Sequence, residues 1–310
     1  MSCYHPMKAL RSADGGVRFL SEDAKVFNLR LPCGRCIGCR LERSRQWAIR
    51  CSHEAQLHEH NSFVTLTYND DNLPVDRSLN YRDFQLFMKR LRKAVAPLQF
   101  RFYMCGEYGE ECGNCGMNAN DCSCGKWELA LGRPHFHVCF FGLDFSDKIL
   151  YKKNLFRSPL LESCWKFGFS TVAKFSFETA AYVARYVMKK ITGDVAEVHY
   201  EYVVPETGEV VVRVPEFNSM SRRPGIGARW FKKFSTDVFP SDEVVFNGVT
   251  GKPPRFYDRS LRHIDPDLYD NVVLSRVEKS KLNLYDSCSD RLSVREQVTS
   301  ARISRFKRSL

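Results

Sequence analysis

The spacing of apolar side chains predicts a series of short strands in the first two thirds of the chain. Each segment is rich in β-branched or aromatic residues and stops at turn-forming residues, as strands do. The segments are residues 63–68, 100–105, 134–141 and 168–175, followed by a hairpin over residues 200–214. Because side chains alternate between the two faces of a strand, the third segment carries His135 and His137 on one face and apolar residues on the other.

A spacing of three to four residues between apolar positions predicts helices between these strands. Asn80 is a residue type that caps helices, and the apolar stripe after it predicts an amphipathic helix. Residues 177–191 predict a second helix that ends before Gly193, and residues 40–57, which lack Pro and Gly, predict a basic helix. Past Pro240 the pattern predicts loops and short helices that end in a basic tail.

The order of these elements predicts an α+β fold, with a central antiparallel sheet and flanking helices. We expect a cysteine-containing N-terminal segment with the basic helix over residues 1–60, a core over residues 61–240 and a C-terminal extension over residues 241–310. A cysteine-rich insert at residues 110–131 interrupts the core. No separate second domain is expected.

The balance of charges favours a polyanionic partner. The 310 residues include 47 Lys and Arg against 36 Asp and Glu, a formal net charge of +11. Each phosphate that a basic side chain neutralises releases a counterion, so the excess favours nucleic acid, with a basic protein that has no nucleic-acid role as the alternative. Residues 222–233 mix cations with aromatic rings, which suits single-stranded DNA, and we predict DNA contacts by Arg222, Arg223 and Trp230.

The sequence lacks the patterns typical of secretion and membrane insertion. Charged and polar residues interrupt the N-terminal positions, and no apolar stretch approaches the roughly 20 residues that a membrane helix needs. We therefore expect no membrane partner and a location in the reducing cytoplasm. In that compartment cysteines are metal ligands or free thiols more often than disulfides.

Thirteen cysteines provide two candidate sites for structural Zn²⁺, each offering thiolates at close spacing. The first group consists of Cys112, Cys115, Cys122 and Cys124. The second group consists of Cys33, Cys36 and Cys39, with Cys3 or His5 as a further ligand. Unligated thiols are the alternative for both groups. Three other cysteines are expected in the core, namely Cys105, Cys139 and Cys164.

His135 and His137 form a candidate metal site because both imidazoles project from one strand face. A third ligand follows if the strand that ends near Glu107 pairs antiparallel with residues 134–141, since Glu107 then lies beside the histidines. Two imidazoles and one carboxylate leave open positions suited to Mg²⁺ or Mn²⁺ and a phosphate oxygen. A polar pair on a solvated strand face is the alternative.

Tyr182 and Tyr186 are candidate nucleophiles on one face of the helix over residues 177–191, with Lys189 nearby on that face. A phenol has a pKa near ~10, so it attacks poorly unless a cation lowers the cost of losing its proton. A metal-bound phosphate and the Lys189 ammonium would supply that help. Ordinary packing of an amphipathic helix is the alternative.

Several motifs in order resemble those of the His-hydrophobe-His (HUH) replication initiators. They are FVTLTY, GEYG, RPHFHVCFFG and YVARYVMKK, together with PCGRCIGCRLERSRQWAIR and MSRRPGIGARWF. The set is most similar to the rolling-circle replication proteins of small single-stranded DNA phages, the microvirus and gokushovirus group. The resemblance covers the chain from Cys33 to about Tyr257. The cysteine-rich insert departs from the tight connection typical of the family.

This resemblance implies an HUH endonuclease core with an RRM-like sheet. In such an enzyme His135 and His137 bind the metal and Glu107 is the third ligand. The Y-x-x-K motif gives Tyr186 as nucleophile with Lys189, and Tyr182 is the second tyrosine of the two-tyrosine class.

The implied activity is nicking of single-stranded DNA at an origin, with a 5′-phosphotyrosyl link and later rejoining during rolling-circle replication. Single-stranded or replicative-form DNA, a host helicase and a host polymerase are the implied partners, in the host bacterial cytoplasm. A plasmid initiator, relaxase or transposase would share this chemistry. A non-catalytic, zinc-containing nucleic-acid-binding protein is the alternative of a different class.

Overall fold

The computed structural model describes residues 3–14, 16–21, 23–109, 132–186, 195–204, 207–246, 248–282 and 285–305. The chain divides into two compact units. The larger unit is Trp47–Phe234, and the smaller unit consists of Met1–Gln46 with Ser235–Leu310.

The strands of the described residues form four antiparallel sheets. Numbered in chain order, they are β1 (Met7–Arg11), β2 (Val17–Phe19), β3 (Leu29–Leu31), β4 (Asn61–Tyr68), β5 (Arg101–Tyr108), β6 (Pro134–Phe141), β7 (Ile149–Lys152), β8 (Leu155–Arg157), β9 (Gly168–Lys174), β10 (Glu201–Val203), β11 (Val210–Val212), β12 (Phe217–Met220), β13 (Val244–Phe246) and β14 (Val249–Gly251).

The α-helices of the described residues are α1 (Ile37–Ala55), α2 (Tyr81–Ala94), α3 (Pro159–Cys164), α4 (Phe177–Tyr186), α5 (Val195–Tyr200), α6 (Ala228–Val238), α7 (Arg255–Ile264), α8 (Pro266–Lys281) and α9 (Ser289–Arg305). A short 3-10 helix spans Tyr285–Ser287. Among these helices, none combines the length and the apolar character that a membrane span requires.

The larger unit is built on a seven-stranded sheet with the order β12-β5-β6-β4-β9-β8-β7. β6 carries the histidine pair and lies between β5 and β4, both antiparallel to it. The register places Glu107 of β5 opposite His135, and Thr65 of β4 opposite His137. Residues that face each other across an antiparallel pair point to the same side of the sheet. These four side chains therefore share one face, called the histidine face below.

The opposite face of the sheet forms the larger apolar core with α2 and α3. The strands contribute alternate apolar residues, and α2 contributes the stripe that its period predicts. From β6 and α2 these are Phe136, Val138, Phe140, Phe84, Phe87, Met88 and Leu91. Full burial of such side chains stabilises a fold by roughly 1.5–3 kcal/mol each. This core therefore anchors β6 and fixes which of its side chains point to the histidine face.

Two helices cover part of the histidine face and leave the rest open. Cys51 of α1 and Val183 of α4 belong to a second apolar cluster with Cys139 and Phe141 of β6. Phe141 is fully buried, whereas the side chain of His135, at the other end of β6, is 17% exposed. The accessible part of the face is therefore the end that carries His135.

Side-chain caps explain where two of these helices begin. The side chain of Asn80 accepts a hydrogen bond from Arg82 N at the start of α2, as predicted. Ser176 Oγ accepts one from Thr179 N (3.2 Å) at the start of α4. The described part of α4 ends at Tyr186, so the rest of the helix predicted over residues 177–191 lies outside the described residues.

The smaller unit has a sheet of its own, with the order β2-β1-β3, and a hairpin of β13 and β14. Arg276 of α8 joins two segments within this unit, because its guanidinium lies 2.5 Å from Asp242 Oδ1 and 2.8 Å from Asp258 Oδ1. A guanidinium held by two carboxylates is a charge-assisted pair of the stronger kind.

The α+β class and the antiparallel sheet are confirmed. The segments predicted as strands correspond to β4, β5, β6 and β9, and the predicted hairpin corresponds to β10 and β11. The prediction of short helices past Pro240 is wrong, because α8 and α9 have 16 and 17 residues. Their ends follow ordinary rules: Asp265 caps α8, and Pro266 occupies its first position. The error arose because α8 has a weak apolar stripe, with Val272 as its buried residue.

Candidate active site

Glu107, His135 and His137 converge on one point of the histidine face. Glu107 Oε1 lies 3.1 Å from Nε2 of His135 and 2.6 Å from Nε2 of His137. β5 and β6 pair without a break from Arg101 and Phe141 to Tyr108 and Pro134, which sets these positions. The insert between the two strands therefore does not separate Glu107 from the histidines.

Hydrogen bonds on the far side of each imidazole orient the ring nitrogens. Nδ1 of His135 lies 2.9 Å from the carbonyl oxygen of Arg133, and Nδ1 of His137 lies 2.9 Å from Thr65 Oγ1. A carbonyl only accepts, so Nδ1 of His135 carries a proton, and Nε2 of the neutral ring presents its lone pair to Glu107. A lone pair and a carboxylate repel each other unless a proton or a metal cation lies between them. The arrangement therefore favours a positive charge at this point.

Burial and hydrogen bonding act in opposite directions on the Glu107 carboxyl. The side chain is 2% exposed, and this burial alone would raise its pKa. Hydrogen bonds from His135 and His137, and the charges of these rings, outweigh the burial and hold the pKa of Glu107 below its ordinary value. Glu107 is therefore a carboxylate, the form that binds a cation.

The three ligand atoms fit a small divalent cation. All of them lie within 4.8 Å of one another. Neighbouring ligands of an octahedral ion with bonds of about 2.1 Å are about 3 Å apart. The separation of 3.1 Å between His135 Nε2 and Glu107 Oε1 has this value, and the 2.6 Å separation for His137 needs to open by a few tenths of an ångström.

Tyr182 is the candidate nucleophile that the structure describes beside this group. Its ring is half-buried, and its centroid lies 5.1 Å from that of His137. Ala180 and Val183 of the same helix are buried in the cluster on the histidine face, and this packing sets the position of α4. Tyr186 is the last described residue of α4. The side chain of Tyr186, and all of Lys189, lie outside the described residues.

An exposed aromatic ring completes the open end of the histidine face. Phe169 of β9 lies opposite Thr67 of β4, which lies opposite His135 of β6. All three side chains therefore point to the same side of the sheet, and the side chain of Phe169 is 64% exposed. Sequence analysis did not single out Phe169, although the alternation in residues 168–175 could have placed it on one face.

The predicted DNA contacts lie away from the metal ligands. Arg222 and Arg223 are exposed, and Arg223 lines a cavity of about 260 Å³ together with Arg101 and Arg229. Arg101 and Glu107 belong to the same strand, and their positions in it are about 20 Å apart. The cavity therefore lies near the end of β5 that is remote from Glu107.

Trp230, the third predicted DNA contact, is packed inside the larger unit. Its side chain is 9% exposed, and its ring stacks on His53 with centroids 3.5 Å apart. Its Nε1 donates a hydrogen bond to Gln56 Oε1 at 2.7 Å. In this arrangement the indole is covered by protein groups instead of being open to a base.

One of the two predicted cysteine groups falls within the described residues. The sulfur atoms of Cys3, Cys33, Cys36 and Cys39 lie within 4.8 Å of one another. His5, the other candidate for this group, instead places Nε2 2.7 Å from Glu296 Oε2. Cys105, Cys139 and Cys164 are buried, as expected. The group of Cys112, Cys115, Cys122 and Cys124 lies outside the described residues.

Comparison with known proteins identifies the family. The model of the replication-associated protein ORF2 family matches residues 61–115 and 124–191, which include the three candidate metal ligands and both tyrosines.

Three relatives extend the similarity along most of the chain. The replication-associated protein VP4 of Bdellovibrio phage phiMH2K is 30% identical over 284 residues, which cover 86% of this chain and 79% of the relative. The replication-associated protein ORF2 of Spiroplasma virus 4 is 28% identical over 270 residues, covering 82% of this chain and 75% of the relative.

The replication-associated protein ORF4 of Chlamydia phage 1 is 29% identical over 258 residues, with 77% of this chain and 55% of the relative covered. No solved structure matches the chain. The chain belongs to the family of microvirus replication-associated proteins.

Proposed function

We propose that this protein initiates rolling-circle replication of a phage genome by nicking single-stranded DNA at an origin and later rejoining the strand. The observation that carries the proposal is the convergence of Glu107, His135 and His137 beside Tyr182. The names of the relatives support the replication role, since each is a replication-associated protein of a phage or virus.

Glu107, His135 and His137 would hold Mg²⁺ or Mn²⁺, which when bound polarises a phosphate oxygen and offsets its charge. The protein groups have distinct tasks around that phosphate. The carbonyl of Arg133 and Thr65 Oγ1 hold the two imidazoles so that both Nε2 atoms face the phosphate side. The packing of α4 on the sheet brings a tyrosine hydroxyl to the same face.

The reaction is an in-line substitution at phosphorus. The phenolic oxygen of Tyr182 or Tyr186 forms a bond to phosphorus and loses its proton, and the bond from phosphorus to the 3′ oxygen breaks. The 3′ oxygen takes up a proton and leaves as a hydroxyl, which a polymerase can extend. The phosphodiester is conserved as a 5′-phosphotyrosyl link, so no nucleotide hydrolysis is needed. Lys189 adds positive charge near Tyr186.

Two tyrosines allow the enzyme to cut twice without releasing its DNA. Tyr182 and Tyr186 are four residues apart and both belong to α4, so they lie one turn apart on one helix face. While one holds the 5′ end, the other can attack the regenerated origin after a round of synthesis. The freed 3′-hydroxyl then attacks the first link and closes a circle of unit length.

The proposed partners follow from this cycle. The substrate is single-stranded DNA or a melted segment of replicative-form DNA, in the cytoplasm of the host bacterium. The sequence contains no G-x-x-x-x-G-K-[ST] segment, so strand separation is assigned to a host helicase and extension to a host polymerase.

The test is formation of a covalent adduct with DNA. Labelled single-stranded fragments that tile the phage genome are incubated with the protein and Mn²⁺, and adducts are resolved on denaturing gels. We expect one fragment to form an adduct, and Tyr182→Phe with Tyr186→Phe to abolish it while DNA affinity stays within a few-fold. Tyr151→Phe is the matched control, because Tyr151 is an exposed tyrosine on β7.

The same assay separates the enzyme from a non-catalytic binding protein. An adduct that persists unchanged in the double variant would reject these nucleophiles. Binding without an adduct on any fragment, with Mg²⁺ or Mn²⁺, would reject the enzymatic function itself.

A further inference from the structure

We propose that Cys3, Cys33, Cys36 and Cys39 bind one structural zinc ion as four thiolates. The site is separate from the Glu107 group, and all four cysteines belong to the smaller unit. The proposal is independent of the nicking function.

The distances between the sulfur atoms fit a single tetrahedral ion. Cys3 Sγ lies 3.6 Å from Cys33 Sγ and 3.9 Å from Cys36 Sγ, and all four sulfurs are within 4.8 Å of one another. Zinc–sulfur bonds of about 2.3 Å at tetrahedral angles separate the sulfurs by about 3.8 Å. A disulfide would require a separation of about 2.05 Å. The group therefore has the spacing of ligands around one ion.

Backbone amides surround the sulfurs in the manner expected for thiolates. Tyr4 N donates to Cys36 Sγ (3.4 Å), Cys33 N donates to Cys3 Sγ (3.2 Å) and Cys36 N donates to Cys33 Sγ (3.3 Å). Four thiolates around Zn²⁺ carry a net charge of −2, which such donors offset. Neutral thiols would gain much less from these contacts.

The turn between Cys33 and Cys36 has the backbone that two nearby ligands need. Gly34 adopts φ +76°, in the left-handed region that glycine enters at little cost. This turn reverses the chain within a C-x-x-C segment, so that both sulfurs point to the same side. Another residue at this position would be strained whatever the surrounding space.

The ligands come from three separate segments, which explains what the ion does. Cys3 precedes β1, Cys33 and Cys36 follow β3, and Cys39 lies in the first turn of α1. A single ion therefore fixes the chain before β1 to the start of α1. With four protein ligands no position is left for substrate, so the site is structural.

Tetrahedral sites with four thiolates also accept a single iron ion, and the experiment distinguishes the two. The full chain is prepared with serine at Cys112, Cys115, Cys122 and Cys124, so that this other group contributes no metal. The parent protein and its variants are purified without chelators, and their metals are measured by mass spectrometry. We expect about one zinc per chain to depend on the proposed site.

Cys36→Ser should lower the zinc content by that one equivalent, and Cys288→Ser, which changes an exposed cysteine of the same unit, should not. Cys39→His covers the case in which Cys36→Ser fails to fold, because it keeps four ligands. With Co²⁺ in place of zinc, it should retain binding and weaken the sulfur-to-cobalt absorption by about a quarter.

Equal zinc in Cys36→Ser and the parent would overturn the proposal, as would iron at one equivalent. An unaltered cobalt spectrum in Cys39→His would do the same. The tyrosine double variant of the adduct assay should keep its full zinc content, so the two proposals fail separately.

Discussion

His137 lies edge-on against Tyr182, with ring centroids 5.1 Å apart and ring planes at 85°. Phe63 contacts both rings, stacked on His137 at 5.6 Å and edge-on to Tyr182 at 6.3 Å. The three rings belong to β6, α4 and β4, so the candidate metal group and the tyrosine helix share one packed cluster. Under the proposed function, this contact sets the distance between the phenol and the phosphate.

Loss of a metal ligand should abolish adduct formation and weaken divalent binding. His135→Ala removes one of three protein ligands, so Mn²⁺ affinity should fall by more than the roughly 10–100-fold that follows loss of a ligand's hydrogen-bond partner. Calorimetric titration with Mn²⁺ measures the affinity, and the adduct assay measures the reaction. His60→Ala, at an exposed position before β4, is the control. A variant at His135 that kept both properties would exclude this residue as a ligand.

Thr65 should act on metal binding through His137, without touching the metal. Thr65→Val keeps the shape of the side chain and removes the partner of His137 Nδ1, so Mn²⁺ affinity should fall by about 10–100-fold. Thr171→Val is a matched control, because Thr171 lies opposite Thr65 on β9 and faces the same side. Equal losses in both variants would point to a general effect on the sheet.

Phe169 should contribute to binding of single-stranded DNA by stacking on a base. A ring on the open histidine face that stacks on one base contributes about 1–3 kcal/mol, so Phe169→Ala should weaken oligonucleotide binding by about 5–150-fold. Phe169→Trp should bind about as well as the parent, since it keeps an aromatic face. Fluorescence anisotropy with a labelled oligonucleotide gives the affinities. Ile149→Ala, at an equally exposed apolar position of β7, should leave the affinity unchanged.

Stability should fall with decreasing pH because His53 is buried as a neutral ring. Burial lowers the pKa of His53 to about 4, against an ordinary value of about 6.5 in the unfolded chain. Between these values the unfolded state binds the proton and the folded state does not, so stability present above pH 6.5 is lost as the pH falls toward 4. From pH 7 to pH 5 this residue should cost about 2 kcal/mol.

Urea unfolding at both pH values tests this contribution. His53→Phe keeps a ring against Trp230 and cannot titrate, so its free energy of unfolding should change by about 2 kcal/mol less than that of the parent over the same range. Identical pH dependence in the two proteins would show that His53 is not the group responsible.

Local patterns were enough to predict the sheet and the convergence of the ligands. Alternation within residues 134–141 put His135 and His137 on one face, and antiparallel pairing of two strands was enough to bring Glu107 to them. Register depends on which face must be buried, and the apolar side chains of β6 specify that face unambiguously. The metal and the roles of the tyrosines stay predictions.

Other features depend on tertiary packing that local patterns do not contain. The composition of residues 222–233 suggested an open, basic and aromatic surface, yet Trp230 is buried against His53. Phe169 is exposed because α1 and α4 cover the opposite end of the histidine face, which the pattern of a single strand does not reveal. β1, β2 and β3 are three to five residues long, too short for alternation to be distinctive.

The closure of β5 and β6 has a consequence for how this family can change in length. Tyr108 pairs with Pro134, and Gly109 N donates to the carbonyl of Arg133 (3.0 Å), so the ladder is complete before residues 110–131 begin. Lengthening a connection whose ends are already joined costs only about 0.6 kcal/mol for each doubling. Segments can therefore be gained or lost at this point while the metal ligands keep their register, and whatever is added emerges next to the reaction centre.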